Sequence, residues 1–338
     1  MNIKSITLSL FSFLFLSINA VAAGAEKSST SAPTSKFANP FYGSLRVAIR
    51  SSSEGGTKTI AIKSAGTSRF GVKNSHPIGD ELTAIYRFEW GLASNFSISD
   101  GSVRLAFVGI QGEDFGDLRL GRDWSGSYNF VGSKLDIFSS TPASTYDDFA
   151  YGDDKGHARL GSAVHYRNKL GEQLKLQISA QLGGDNKPDG VSSWVLGGEY
   201  QLSKNTNIGA YYSLAEGGKT STDREQIGLS LSLKPASDLN ITVASFSQIY
   251  AGEANEDFHA FDVAAVLNLP EFGKGVSLRG VYGMLNYDQI SPKNNYKQLQ
   301  IGLRKQLENY RLYAWFNTTK TETQANKNEF TIGARYDF

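Results

Sequence analysis

The stretch Phe330-Thr331-Ile332-Gly333-Ala334-Arg335-Tyr336-Asp337-Phe338 alternates without a break. Phe330, Ile332, Ala334, Tyr336 and Phe338 fall on one side, and Thr331, Gly333, Arg335 and Asp337 on the other. Successive side chains of a β-strand point to opposite faces, so this is a strand with one greasy and one wet face. Working outward from it, the same period returns along the chain. Leu174, Leu176, Ile178, Ala180 and Leu182 interleave with Lys175, Gln177, Ser179 and Gln181. Ile227, Leu229, Leu231 and Leu233 interleave with Gln226, Gly228, Ser230 and Ser232. Such segments run for about ten residues, the length a tilted strand needs to cross a bilayer. From Phe41 to Phe338 there are about sixteen, an even number, as single-chain bacterial barrels have.

A soluble β-sandwich would alternate too, so the links between strands decide. Tight polar turns fall at His76 to Asp80, Asn168 to Glu172, Ser203 to Asn205, Pro235 to Asp238, Pro270 to Gly275 and Glu308 to Asn309. Longer links lie between them, at Gly183 to Ser192, Ala215 to Asp223, Tyr250 to Asp257, Asp288 to Asn295 and Glu322 to Asn328. Short turns at one end and long loops at the other are the pattern of outer-membrane barrels. Trp90 and Trp194 fall toward the long-link ends, and Tyr166, Tyr200, Tyr310 and Tyr336 toward the short-turn ends, as two interfacial girdles require. The expected fold class is therefore all-β: an antiparallel transmembrane β-barrel of about sixteen strands. A barrel of that size holds an aqueous channel unless something narrows it. The longest link, about 35 residues between Arg122 and Arg159, is too long for an idle connection. It is expected to fold inward as a constriction loop over residues 123–158.

Composition agrees. The 338 residues include 35 Gly, 12% aromatics, 8 Pro and no Cys, a mix suited to turns and strands. A formal charge of +1 supplies neither a basic footprint for nucleic acid nor a polyanionic tail. Without cysteine there is no disulfide framework, thiolate metal site or cysteine nucleophile. Lys4, the apolar run Ile6 to Ile18 and Val21-Ala22-Ala23 form a secretion signal over residues 1–23, with Ala25 as the later cleavage point. The Ser-, Thr- and Ala-rich stretch that follows predicts a flexible arm over residues 24–40.

Strand parity places Arg46, Arg50, Arg69, Lys73, Arg87, Arg104, Arg119 and Arg159 on the polar face, pointing into water. Guanidinium groups stay charged when crowded, and rings of charge are how pores select ions. Arg122 is turned outward by alternation from Leu118 and Leu120, unless Gly121 marks a bulge that re-aims it. Against these bases the long link offers Asp136, Asp147, Asp148, Asp153 and Asp154, with Lys134 and Lys155 interspersed. Opposed charges in a narrow wet passage focus the field across it.

Other chemistry is weaker. His76, His157, His165 and His259 lack metal-ligand spacing. Glu216-Gly217-Gly218-Lys219-Thr220 ends like a phosphate loop, but Ser213 stands where its first glycine belongs. Asp153-Asp154 reads as solvated loop acids rather than a calcium site, and no Gly-x-Ser-x-Gly turn is present. An outer-membrane hydrolase would need an outward-facing Ser and His pair, which parity does not give. No cofactor, metal, nucleic acid or catalytic residue is expected.

Several motifs resemble the general Gram-negative porins in order and spacing. Phe41-Tyr42-Gly43-Ser44-Leu45 is similar to that family's opening strand. Ser68-Arg69-Phe70-Gly71-Val72-Lys73 and Leu82-Thr83-Ala84 are similar to its second and third. Phe115-Gly116-Asp117-Leu118-Arg119-Leu120-Gly121-Arg122 resembles the strand entering the constriction loop, and Ala158-Arg159-Leu160-Gly161-Ser162-Ala163-Val164 with Tyr166-Arg167-Asn168 the strand leaving it. The resemblance implies a homotrimeric passive diffusion channel for small hydrophilic solutes and ions in the outer membrane, among its lipid and lipopolysaccharide. It puts the family's wall arginines on Arg69, Arg122 and Arg159 and its leading loop acid on Asp136. The chain departs at Ser139-Ser140-Thr141-Pro142, where a Pro-Glu-Phe-Gly-Gly turn carries the second loop acid, and at Ser44, where the family has a base. With one loop acid missing, a mild anion preference follows. A solute-specific channel for an anion, phosphate or oligosaccharide is the alternative. Phe338, with Tyr336, is similar to the aromatic end that the barrel-assembly machinery recognises.

Overall fold

The computed structural model describes residues 40–138, 143–150, 158–183, 190–215, 223–251, 257–288 and 295–338. The expected signal and most of the arm lie outside them. One antiparallel sheet contains seventeen strands. The first half comprises β1 (Phe41–Glu54), β2 (Thr57–Lys63), β3 (Arg69–Pro77), β4 (Leu82–Gly91), β5 (Ser102–Gly112), β6 (Gly116–Trp124), β7 (Arg159–Leu170) and β8 (Leu174–Leu182). It continues with β9 (Val191–Ser203), β10 (Thr206–Ala215), β11 (Asp223–Leu233), β12 (Leu239–Ala251) and β13 (Phe258–Asn268). The last four are β14 (Val276–Tyr287), β15 (Tyr296–Leu307), β16 (Tyr310–Thr321) and β17 (Lys327–Asp337).

The sheet closes on itself, because β1 pairs with β17 from Ser44↔Asp337 to Glu54↔Lys327. Closure leaves no sheet edge at that seam. At its foot Gly43 N donates to the Phe338 carbonyl at 2.8 Å and Phe338 N returns a bond of 3.1 Å. A Cβ on Gly43 would collide with the Phe338 ring.

Seventeen strands make sixteen staves. β2 pairs with β1 from Ala48↔Lys63 to Glu54↔Thr57, and β3 from Phe41↔Val72 to Ser44↔Arg69. They are two pieces of one stave, parted where residues 64–68 stand opposite residues 45–47. The β1–β2 connection is a tight Gly55-Gly56 hairpin with φ of 55° and 86°, both in the left-handed region that such two-residue turns demand. It lies at the end otherwise given to longer links.

The outer face carries an exposed apolar belt, including Leu45, Val47, Ile49, Ile227, Leu229, Ile301 and Leu303. In water such a belt is a liability; in hydrocarbon it is the surface a spanning barrel needs. Trp194 against Tyr212 (5.3 Å) and Tyr310 against Tyr336 (4.6 Å) stand at opposite ends of it, as interfacial girdles do. No described helix is long and apolar enough to cross a membrane.

Candidate pore constriction

The link between Trp124 and Arg159 folds inward and is fastened to one side of the barrel. It contains a π-helical turn (Tyr128–Gly132), a short helical turn α1 (Ser133–Leu135) and a helix α2 (Thr145–Ala150). Gly126 meets β9 backbone to backbone, where a Cβ on Gly197 would stand 2.9 Å from the Gly126 Cα. Lys134 Nζ reaches Glu199 on β9 at 2.6 Å, and Ser230 on β11 donates to the Phe130 carbonyl at 3.2 Å. Arg279 on β14 donates to the Ile137 carbonyl, and Phe138 packs edge-on to Trp315 of β16 at 4.6 Å. At the start of α2, Thr145 donates from its N (2.9 Å) and Oγ1 (2.7 Å) to Asp262 of β13, a fully buried carboxylate. Phe149 then packs against Phe246 and Phe258 at 5.1 and 4.8 Å. These contacts form the larger part of the dry core among the described residues, which also takes in Ala48 of β1 and Leu160 and Ala163 of β7. The hydrogen bonds and ring contacts above fall on β9 to β16, and Asn129 adds one to Gln177 of β8 at 2.7 Å; opposite lies the wall of β17, β1 and β3 to β7.

That wall carries the arginines, though not in open water as parity suggested. Glu89, 1% exposed, gathers Arg87 and Arg104 at 2.8 Å each and Arg69 at 3.7 Å. Tyr42 OH donates to Glu89 at 2.8 Å and accepts from Arg87 Nε at 2.7 Å. Arg104 reaches this hub through a register shift at Glu89/Trp90; a bulge lets it turn inward beside the buried Leu105. Arg119 is likewise held, by Asp123 at 2.9 Å, and Arg167 binds the same carboxylate at 2.6 Å. The sequence reading missed Glu89 and Asp123. Both signals were present, since Glu89 shares the parity of Arg87 and Asp123 that of Arg119.

Arg46 is buried and donates to Ser44 Oγ (3.0 Å) and the Gly66 carbonyl (2.6 Å). The groups acting on it electrostatically are Arg69, Arg335, Arg104 and, from the loop, Asp136. Asp136 accepts from Tyr128 OH at 3.1 Å, and Asp147 and Arg69 act on the same phenol. Arg159 lies over the Trp124 ring at 5.0 Å, and Trp124 stacks on Tyr128 at 3.9 Å. Arg46, Arg69, Arg159, Asp136 and Asp147 thus converge. Around Arg122 the bulge is present: Gly121 has φ 129°, and the register shifts between Gly121 and Asp123. A Cβ at Gly121 would collide with the Ala106 carbonyl. Arg122 lies along Gly161 of β7.

Asp147 accepts from Ala143 N (3.0 Å), Ser144 N (3.2 Å) and Ser144 Oγ (3.0 Å). Burial and the neighbouring Asp136 carboxylate push its pKa up to about 7. The side chain of Asp148, and all of Asp153, Asp154, Lys155 and the Ser139 to Pro142 departure, lie outside the described residues.

One expectation about the outer face is corrected. Ser247 and His259 are direct cross-strand partners, with Ser247 Oγ 2.6 Å from His259 Nδ1 and Asp288 3.3 Å from His259 Nε2. Parity places them outward, since their neighbours Phe246 and Phe258 point into the core. Backbone N–H groups of a ladder lie in the sheet plane and bond to adjacent strands, so they do not face this hydroxyl as an oxyanion site requires.

A profile of the Gram-negative porins matches residues 16–338. Outer membrane protein F of Serratia marcescens is 27% identical over 158 residues, 43% of this chain and 41% of that protein. Outer membrane porin PhoE of Enterobacter cloacae is 35% identical over 123 residues, 35% and 34% of the two chains. This chain thus spans less than half the length of these relatives. The anion-selective porin from Comamonas acidovorans shares the fold with a TM-score of 0.74 at 17% identity, covering 89% of this chain and 99% of that one. OmpF of Salmonella typhi, in complex with daunomycin, superposes with a TM-score of 0.72 at 16% identity, over 88% and 97%. With the closed barrel, its inward loop and the profile agreeing from end to end of the described residues, this chain belongs to the Gram-negative porin family and is a multi-pass β-barrel of the outer membrane.

Proposed function

We propose that the protein is a water-filled channel for passive diffusion of small hydrophilic solutes and ions, rather than an enzyme. The observation that carries this reading is the one-sided anchoring of the loop. It crowds β9 to β16 and leaves a passage whose wall holds Arg46, Arg69 and Arg159 and whose loop edge holds Asp136 and Asp147. Size is filtered by the loop and charge by the opposed groups. No energy source or cofactor is needed. A homotrimer is proposed on family membership and on the trimer form recorded for OmpT of Vibrio cholerae, which shares the fold at a TM-score of 0.66. We propose seating in outer-membrane lipid and lipopolysaccharide, and Phe338 with Tyr336 as the assembly signal.

Planar-bilayer recording of the purified protein tests this. Conductance steps in threes are expected, with a reversal potential in a salt gradient showing mild anion preference. Arg69→Ala, Arg122→Ala and Arg159→Ala are each expected to move that potential toward cations. Absence of steps overturns the channel, and strong cation preference overturns the selectivity.

A further inference from the structure

We infer that the outer wall of the barrel carries a binding site for a borderline divalent cation such as zinc, held by His259 Nε2 and the Asp288 carboxylate at the long-loop ends of β13 and β14. The inference does not rest on the channel reading, because the site faces away from the interior.

Three strands bring the residues together. His259 is the second residue of β13, and its neighbours Phe258 and Ala260 point into the core, so the imidazole points outward. Asp288 follows the last residue of β14, and its backbone N donates to the Asp257 carbonyl at 3.0 Å, which joins the ends of the two strands. Ser247 stands opposite His259 on β12, and Asn286 opposite it on β14. Residues so scattered along the chain show no ligand spacing in the sequence. The His259 and Asp288 side chains are accessible, at 64% and 48% exposure.

Distance separates a metal pair from a plain ion pair. His259 Nε2 and Asp288 Oδ2 stand 3.3 Å apart. A charge-assisted hydrogen bond from imidazolium to carboxylate closes to about 2.7–2.9 Å. Two ligand atoms that each lie about 2.0–2.1 Å from one tetrahedral ion are instead about 3.3 Å apart. The other ring nitrogen gives a second, independent indication, since Ser247 Oγ lies 2.6 Å from Nδ1. A hydroxyl that accepts from Nδ1–H fixes the tautomer with the Nε2 lone pair aimed at Asp288, which is how an outer partner orients a ligating histidine. A lone pair and a carboxylate that face one another call for a cation between them. Among the described residues Asp288 has no lysine or arginine partner to supply that charge.

Asn286 is exposed on the same face as His259, and side chains directly across a ladder have Cβ atoms about 4.5–5.5 Å apart, so its amide oxygen is a third donor within reach. No cluster of three imidazole or carboxylate groups forms among the described residues, so the remaining positions are open to water. Imidazole with carboxylate suits zinc, copper or nickel, whereas calcium and magnesium take sets of oxygens. An ion bound here ties β13 to the end of β14 at the rim, and binding to the folded state alone stabilises it.

The test titrates the untagged protein in detergent with zinc chloride by calorimetry. One zinc per chain is expected, with calcium and magnesium bound about tenfold more weakly or less. His259→Ala and Asp288→Asn should each weaken zinc binding by about tenfold or more, and Ser247→Ala by about tenfold, while Ser247→Thr keeps the hydroxyl and the affinity. His76→Ala, which alters an exposed histidine elsewhere on the barrel, should leave binding at the parental level. Cobalt(II) in place of zinc should give the strong visible absorption of a tetrahedral site in the parent and lose it in His259→Ala. Zinc should raise the Tm of the parent and not that of the variants. Far-UV circular dichroism and gel mobility check that each variant is a folded barrel; should His259→Ala misfold, Asp288→Asn, which lies beyond the strand, carries the test. Absence of saturable zinc binding, a preference for calcium, or zinc binding unchanged in the folded His259→Ala or Asp288→Asn variant overturns the site.

Discussion

At Glu89 three guanidinium groups and a phenol converge on one buried carboxylate. Replacing a buried ion-pair network with apolar groups is often neutral, but removing one partner strands the others at a cost on the order of 3–5 kcal/mol. Glu89→Gln is therefore expected to lower the Tm of the folded barrel and to move the reversal potential toward anions, since one negative charge leaves the arginine wall. An unchanged potential would mean that these arginines do not face the ion path. Asp147 predicts a pH effect. Its pKa is raised from 3.8 to about 7, so between those values the folded loop holds a proton that the unfolded chain has released. Stability from this group is thus lost as pH rises through that window, while negative charge appears beside Asp136. Cation permeability relative to anion should rise between about one unit below and one unit above pH 7, and Asp147→Asn should flatten the rise. The same slope in the variant would assign it to another group.

At the scale of elements, the loop's position depends on a latch that only one arrangement of strands supplies. Asp262 on β13 receives both Thr145 donors, and Gly283 on β14 leaves the room, since a Cβ there would collide with Asp262 Oδ1. Asp262→Ala should free the start of α2 and give noisier single-channel current with higher mean conductance; quiet current at the parental level would show that Lys134, Arg279 and the aromatic packing suffice. The inward loop was expected from the sequence because a link of that length is too long for an idle connection in a barrel wide enough to need narrowing. Its latch was not, because Asp262 reads as one more polar-face residue until Thr145 is brought to it across 117 positions of chain. The Gly121 bulge was legible, since a glycine coincided with a break in parity. Arg104 was expected on the polar face and lies there, but the register shift at Glu89/Trp90 that sets it beside the inward Leu105 carries no glycine, and the split of one stave into β2 and β3 carries no breaker beyond Gly66.

At the scale of the whole molecule, the seam between β1 and β17 joins residues nearly the full chain apart. Closure of that kind pays its loop entropy late, so strand pairing at the seam depends on contacts that complete it. Phe338 supplies two backbone bonds to Gly43 and a ring that covers it. Phe338→Ala is expected to reduce the yield of compact, heat-modifiable barrel both in membranes and on unassisted refolding into detergent. A defect in membranes alone would assign the residue to the assembly machinery instead of the seam.

The sequence by itself determined that this chain is a barrel, which ends of its strands meet short turns and which long loops, and that its inner face is basic. Those properties are local: a period of two, the contrast between apolar and polar residues, and turn chemistry are all written within about ten residues of each other. Only the tertiary structure decided which charges meet. Glu89 under three arginines, Asp262 at the loop, and the row from Arg46 through Arg335 to Arg311 depend on strand register and on the closing seam. Register is a property of pairs of strands, set when the sheet closes, and one strand read alone does not contain it.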